Sequence, residues 1–326
     1  MPFNSFPLAF ALDIAINVSS VRQSLQPSLC PPVLYHSTSF RGITGIIDAR
    51  ALWGTCVDNL EDKTEIQHGV EMIEAEIRRR RFDQKSIAGR VLRLVPEFLS
   101  DRRRWTFVAC FRGKLERPTD TDPAAATKCV EWERDRPYCA EFETLSAWDP
   151  RLRSGMHADQ QYHRVVYDTD LQRAAIARII TATIDCSAKN CTGSLEGPWG
   201  ESLAKNHARI VAQSLIDMIS GFKSPAYGWE DEWRIVCRPR FTVAGSAPDL
   251  EDENFSAYIK SESLRHVELA AHEQGPIFSA FPTRVLGFRA IHVSDPSNTL
   301  VSERQRIRSM LDTSGRSDIS LQSYAR

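Results

Sequence analysis

Apolar and polar residues follow a helix-and-strand order along residues 33–53, VLYHSTSFRGITGIIDARALW. The apolar run 33–35 is typical of a buried strand, and the three hydroxyl residues after His36 can cap a helix. Isoleucines at the first, fourth and fifth positions of 43–47 recur at helical spacing, and 51–53 resume an extended pattern. The segment predicts a strand, a turn and a helix that present His36 and its neighbouring hydroxyls at a functional cleft.

The apolar pattern elsewhere predicts helices and strands along the whole chain. Helical spacing occurs at 66–77, 91–99, 170–184, 208–219 and 301–311. Runs rich in β-branched and aromatic residues predict strands at 105–111, 138–142, 164–167, 232–237, 266–269 and 285–293. No repeat or linker interrupts this order. We therefore expect one α+β domain over 33–313, with a mixed or antiparallel sheet flanked by helices.

Both ends of the chain differ from this central part. Residues 1–32 contain a mildly apolar helical stretch and end in the turn-prone LCPPV, which indicates an N-terminal extension. Residues 314–326 are polar and are expected to be a flexible tail.

The composition of the chain indicates where the protein is located more clearly than what it does. Hydrophobic residues make up 42% and charged residues 25%, as in ordinary globular proteins. The formal net charge of −1 gives no global attraction to nucleic acid or anionic membranes. No stretch approaches the ~20 apolar residues of a membrane span, and the scattered cysteines are expected to be reduced thiols. These properties predict a cytoplasmic protein with no membrane partner.

Two arginine runs, 78–81 and 102–104, could supply a local basic patch. Successive arginines on a helix point around most of its circumference and cannot form one stripe. Solvated surface is therefore the expected role, and a phosphate-rich partner is the alternative.

His36 is the first candidate for chemistry. An imidazole at a strand end, next to hydroxyls and free backbone donors, can bind a ribose or an amide. The alternative is a buried histidine that hydrogen-bonds to a helix cap. The tripeptide alone does not separate the two interpretations.

The second candidate is WEDEWRIV at 229–236, where acidic residues meet the start of a strand. Alternation puts Glu230, Glu232 and Arg234 on one face. A carboxylate at this position can stabilise an oxocarbenium-like centre, as in glycoside cleavage. The alternative is a solvated sheet edge with an ordinary pair between Glu232 and Arg234.

Taken together, these motifs resemble an uncharacterised bacterial family built around a domain of unknown function. The resemblance covers 33 to about 311. Its motifs are YHST at 35–38, LW at 52–53 with Asn59 and Glu65, CF at 110–111, Trp132, YCAEF at 138–142 and EDEWR at 230–234. The family brings no established reaction with it.

A more distant resemblance is to ADP-ribosyltransferases of the His-aromatic-Glu type, on LYHST at 34–38, GII at 45–47, ALW at 51–53 and Glu232. It implies an ADP-ribosyltransferase-like split sheet and NAD as the substrate. The NAD-binding residues it implies are His36 for a ribose hydroxyl, the backbone of Ser37 for the nicotinamide amide, and Thr38. Ser37 stands where these transferases usually have glycine.

The same resemblance implies that Glu232 stabilises the ribosyl cation and that Glu230 orients or deprotonates the acceptor. The aromatic residue that stacks on nicotinamide would be Trp53 or Tyr138. The leading hypothesis is thus an enzyme that cleaves NAD and passes ADP-ribose to nucleic acid or protein. A non-catalytic nucleotide-sensing or interaction module of a bacterial stress or defence system is the alternative. A third possibility is an effector whose acidic cluster holds a divalent metal.

Overall fold

A computed structural model describes residues 6–26, 30–60, 64–103, 106–115, 135–144, 162–190, 197–237, 278–282, 288–295 and 299–324. Its α-helices are α1 (Phe6–Leu25), α2 (Phe40–Ala49), α3 (Thr64–Arg79), α4 (Ile87–Arg103), α5 (Thr169–Asn190), α6 (Pro198–Ile219) and α7 (Val301–Thr313). Its strands are β1 (Val33–Thr38), β2 (Ala51–Cys56), β3 (Phe107–Arg112), β4 (Tyr138–Glu143), β5 (Tyr162–Arg164), β6 (Glu232–Cys237), β7 (Phe278–Pro282), β8 (Phe288–Ser294) and β9 (Ser320–Tyr324). Short 3₁₀ helices span Val57–Asn59 and Pro225–Glu230. The predicted strand at 266–269 lies outside the described residues.

The strand, turn and helix predicted at the start of the domain are confirmed as β1, α2 and β2. The Ser39 hydroxyl accepts a hydrogen bond from the Gly42 amide at 3.2 Å and caps α2. A Cβ at Gly42 would lie 1.9 Å from the Thr38 hydroxyl oxygen, so this position needs a residue without a side chain. The helix ends at Arg50, which adopts a left-handed conformation with φ 50°.

The strands form one mixed sheet flanked by helices, in the order β5-β6-β3-β1-β4-β8-β9, with β2 joined to β3 and to β7. Among the described strands, β8 and β9 are parallel and the other pairs are antiparallel. Strand β3 pairs with β1 at Arg112 and Tyr35, but with β2 at Val108 and Thr55. The sheet therefore splits between β1 and β2.

Alternation along β3 gives the sheet two differently covered faces. Val108 belongs to an apolar cluster with α1, α3, α4, α5 and α6. Ala109 and Phe111 belong to a second cluster with α2 and α7. We call these the major-helix face and the minor-helix face. No described helix is long and apolar enough to cross a bilayer.

Both predicted chain ends take part in the fold, contrary to expectation. In α1, Phe10 and Ile14 are fully buried, so residues 6–25 belong to the helical layer rather than to a separate extension. At the other end, β9 pairs with β8 and Ile319 just before it is fully buried. Residues 320–324 are therefore a strand of the sheet and not a flexible tail.

Deleting residues 314–326 should lower the free energy of unfolding by about 3 kcal/mol, because it removes the buried Ile319 side chain and the β9 pairing. Urea denaturation of the truncated and full-length chains measures this difference. A chain lacking only residues 325–326 is the control and should match the full-length protein. Equal stability of the two truncated chains would contradict the role of β9.

Candidate functional site

A tight chain reversal positions the two glutamates at the start of β6. Glu230 is the last residue of the 3₁₀ helix and Glu232 is the first residue of the strand. Between them, Asp231 adopts a left-handed conformation with φ 43° and ends the helix. The Glu232 amide donates to the Tyr167 hydroxyl oxygen at 3.0 Å, which fixes the strand start.

The Glu232 carboxylate is buried among cations, with a side chain only 6% exposed. One oxygen accepts from Arg234 Nε at 2.7 Å, and the other accepts from Arg234 Nη2 at 3.0 Å and Lys223 Nζ at 3.2 Å. Arg234 also donates to Glu65 at 2.7 Å and to the Ser220 carbonyl at 2.9 Å. The pair expected from the sequence is thus part of a buried network and not a solvated sheet edge.

Lys223 lies between three carboxylates. Its ammonium is 2.9 Å from Glu65, 2.5 Å from Glu230 and 3.2 Å from Glu232. It also lies over the Tyr227 ring, 4.9 Å from the centroid. The described residues contain no group of three or more His, Cys, Asp or Glu that could hold a metal. The centre of this acidic cluster is occupied by the ammonium of a lysine.

The two neighbouring carboxyl groups have opposite protonation tendencies. Burial raises the pKa of Glu230 to about 7; Lys223 opposes this rise, and the adjacent Glu232 carboxylate adds to it through charge and a hydrogen bond. Burial would also raise the pKa of Glu232, but Arg234 and Lys223 hold it at about 2. The pair therefore shares one proton near neutral pH, the pattern by which close carboxyls divide acid and base roles. With Glu230 protonated, the carboxylates of Glu65 and Glu232 face the cations of Lys223 and Arg234.

His36 lies at the split in the sheet, but on the other face from Glu232. Its ring makes an edge contact with Phe111 of the minor-helix cluster, at 5.9 Å between centroids. Glu232 pairs with Arg112 and Arg112 with Tyr35, so these three side chains share the major-helix face and His36 points away from them. The expectation that His36 and Glu232 face one cleft is wrong, because the strand register offsets His36 by one residue.

The His36 ring instead hydrogen-bonds to a backbone carbonyl of β3, in the place of a strand partner. Its Nδ1 is 2.8 Å from the Cys110 carbonyl, which can only accept, so Nδ1 carries the hydrogen. Burial lowers the pKa of the imidazole, which is neutral at pH 7. The ring satisfies a backbone carbonyl at the point where β3 leaves β1. On its other side, Cys110 hydrogen-bonds through its thiol to the Glu232 carboxylate, so one residue links His36 to the carboxyl pair.

The remaining predicted NAD-binding residues divide between the two faces. Ser37 is two residues from Tyr35, and Trp53 is two residues from Thr55, the partner of Val108, so both lie on the face of Glu232. Thr38 lies on the opposite face, next to α2.

Tyr138 is a core residue, contrary to its predicted role as a stacking aromatic. Its side chain is fully buried, its hydroxyl donates to Glu303, and the Phe40 ring packs 5.8 Å from it. No face of this ring is open to a ligand. Of the two predicted aromatics, Trp53 is the one on the face of the carboxyl pair.

Most described arginines of the two predicted runs form ion pairs rather than a patch. Arg78, Arg79 and Arg80 pair with glutamates of α3, and Arg103 pairs with Asp58 at 2.6 Å. Arg102 is 3% exposed and is part of the interior, in contrast to the expected solvated position. Arg104 lies outside the described residues.

Four residues were not predicted to belong to this site: Glu65, which was named only as part of the family motif, Tyr167, Lys223 and Tyr227. They come from α3, the segment after β5, the segment after α6 and the 3₁₀ helix. Each is isolated from the EDEWR motif except Tyr227, so no local spacing connects it to the carboxyl pair. Two signals were available: the place of Glu65 in the family motif, and a single lysine in the otherwise uncharged segment MISGFKSP.

We compared the chain with models of protein families, with curated proteins and with solved structures. None of these comparisons gave a match. The carboxyl pair and its cations are therefore the features of this chain from which a function can be inferred.

Proposed function

We propose that the protein cleaves the nicotinamide glycosidic bond of NAD and transfers ADP-ribose to a macromolecular acceptor. The observation that carries this proposal is the geometry of the Glu230–Glu232 pair, whose two carboxyls both contact the Lys223 ammonium, at 2.5 and 3.2 Å. Burial raises the pKa of Glu230 to about 7, whereas Arg234 and Lys223 hold the pKa of Glu232 low. This pair lies at a strand start, on the same face as Ser37 and Trp53 and close to the split in the sheet. The strand register supports a compact site. Glu232 and Tyr35 both pair with Arg112, so their backbones are separated by two strand spacings, or about 10 Å.

In the proposed reaction, the bond between the ribose C1′ and the nicotinamide nitrogen breaks, and its electron pair leaves with neutral nicotinamide. Glu232 stays anionic and stabilises the positive charge that develops on the ribose. The acceptor oxygen or nitrogen then bonds to C1′ and gives its proton to the ionised form of Glu230, whose pKa of about 7 suits a general base.

The ligand contacts follow from the face that each residue occupies. Trp53 would stack on the nicotinamide ring, and the backbone of Ser37 would hold its amide. His36 supports this site indirectly, through the Cys110 carbonyl, rather than binding a ribose hydroxyl. The ADP-ribosyltransferase-like fold is part of the same proposal, supported by the split sheet and by the positions of β1 and β6 on either side of β3.

A second candidate function is a nucleotide-sensing or interaction module without turnover. One observation favours it: Arg234 holds both oxygens of Glu232, and Lys223 adds a second cation. A carboxylate neutralised in this way stabilises a cation less strongly. The enzyme is expected to bind NAD and release nicotinamide, whereas the sensing module is expected to bind NAD without releasing nicotinamide.

Nicotinamide release from NAD should fall about 100-fold or more in Glu232→Gln, because the variant loses charge stabilisation in the transition state. The measurement is chromatography of nicotinamide after incubation with nucleic-acid and protein acceptors. Glu65→Gln is the matched control, since it removes a carboxylate from the same cations on a different element and should retain much more activity.

The remaining outcomes separate the candidates. NAD binding by calorimetry without nicotinamide release, in wild type and Glu232→Gln alike, would overturn the enzyme and favour the sensing module. Neither binding nor release with any acceptor would contradict both.

A further inference from the structure

Asp231 combines an unfavourable backbone conformation with a specific side-chain contact. A non-glycine residue at φ 43° is uncommon, although aspartate tolerates it better than most. Its Oδ1 accepts from Arg164 Nη2 at 2.8 Å and from Arg164 Nε at 3.2 Å. Asp231, between the two glutamates, is thus held in place by a side chain of the neighbouring strand β5.

Arg164 is itself fixed by the end of α1. Its amide donates to the Gln26 side-chain oxygen at 2.7 Å, and its carbonyl accepts from the Gln26 side-chain nitrogen at 3.4 Å. Gln26 therefore continues the hydrogen bonding of β5 beyond the sheet edge, as an added strand would. A chain of contacts runs from the N-terminal helix through Arg164 to Asp231.

The left-handed turn decides where the Glu230 carboxyl lies. Glu230 belongs to the 3₁₀ helix and Glu232 to the strand, yet both carboxyls contact Lys223 and one another. Glu230 would leave this contact if Asp231 became extended, since the preceding helix would then point away from the strand start. Backbone strain of this kind persists only where the surroundings fix it, and it is concentrated at functional sites.

We propose that Asp231 and Arg164 are positioning residues that hold Glu230 against Glu232 and Lys223. The inference rests on the proposed function for its catalytic meaning, but the positioning itself can be measured without turnover. Groups facing Glu230 are Lys223, Glu232 and Tyr167. None of them is changed by a substitution at position 164 or 231.

The test is the titration of the Glu230 side-chain carboxyl, followed by carbon-13 NMR and assigned with Glu230→Gln. Arg164→Ala and Asp231→Ala should each lower the midpoint by about one pH unit or more, towards the ordinary glutamate value, because Glu230 becomes solvated. Asp231→Asn is the matched control. Asparagine also tolerates the left-handed conformation and keeps an oxygen for Arg164, so its midpoint should stay near that of wild type.

Unchanged titration in folded Arg164→Ala would overturn the proposal, as would an equal shift in Asp231→Asn and Asp231→Ala. The Arg164 side chain is 47% exposed, so its removal leaves the fold intact even if Asp231→Ala does not fold. Absence of NAD cleavage in wild type would count against the proposed function and not against the positioning, which the titration decides independently.

Discussion

Replacing Arg234 with methionine is expected to lower the free energy of unfolding by about 3–5 kcal/mol, the usual cost of breaking a buried ion pair from one side. The Arg234 side chain is 2% exposed and donates to Glu65, Glu232 and the Ser220 carbonyl. Methionine fills much of the same volume but leaves two buried carboxylates facing the single cation of Lys223. Urea denaturation of the purified chains at neutral pH measures the loss.

Two variants test whether charge is the cause. Adding Glu232→Gln to Arg234→Met removes the uncompensated carboxylate and should restore part of the stability. Arg164→Met breaks a pair with Asp231 whose side chains are 47% and 36% exposed, and should cost less than about 1 kcal/mol. If Arg234→Met costs no more than Arg164→Met, the buried network is not important for stability.

The parts of the fold that follow from local pattern could be predicted from the sequence. The β1–α2 unit depends on neighbouring residues, namely a strand-forming run, the Ser39 cap and isoleucines at helical spacing. The β6 strand was predicted at its observed bounds, Glu232–Cys237, for the same reason. Such features are encoded within a few residues and do not depend on the rest of the chain.

Strand register, by contrast, could not be read from the sequence, and it changed the role of His36. Alternation along β1 gives two possible faces, and which one meets Glu232 depends on the Tyr35–Arg112 pair, 77 positions apart in the chain. A shift of one residue exchanges the faces. The resemblance suggested a shared cleft, but the register puts Tyr35 and Ser37 there and turns His36 towards Phe111.

The EDEWR motif predicted the carboxyl pair, but it did not predict the different pKa values of the two carboxyl groups. Glu230 and Glu232 are two residues apart, which is enough to predict proximity. Their different pKa values depend on burial, on Arg234 and on Lys223, and Lys223 lies just after α6, far from the motif in sequence. The ends of the chain were mispredicted for a related reason: α1 and β9 have weak local patterns, and their burial comes from packing against elements distant in sequence.

The stability of the wild-type protein is expected to fall as the pH rises from about 4.5 to about 7, because Glu230 binds a proton more tightly in the folded state. Its pKa rises from an ordinary 4.5 to about 7, so its contribution is complete below pH 4.5 and is lost as the pH passes 7. Glu232 acts in the opposite direction, with a contribution that is present above its ordinary pKa and is lost as the pH falls towards 2. Between pH 5 and 8, the Glu230 effect is the larger of the two.

Glu230→Gln should remove this dependence, since glutamine has the shape of the protonated side chain and cannot ionise. The variant should match wild type at pH 4 and exceed it by about 3 kcal/mol at pH 8, the free-energy equivalent of a pKa shift of roughly 2.5 units. Urea denaturation at the two pH values gives the comparison, with Glu201→Gln, which removes an exposed pair with Lys205, as the control. A stability difference between Glu230→Gln and wild type that is the same at both pH values would show that Glu230 does not hold the shared proton, and the acid-base role proposed for it would fail with that result.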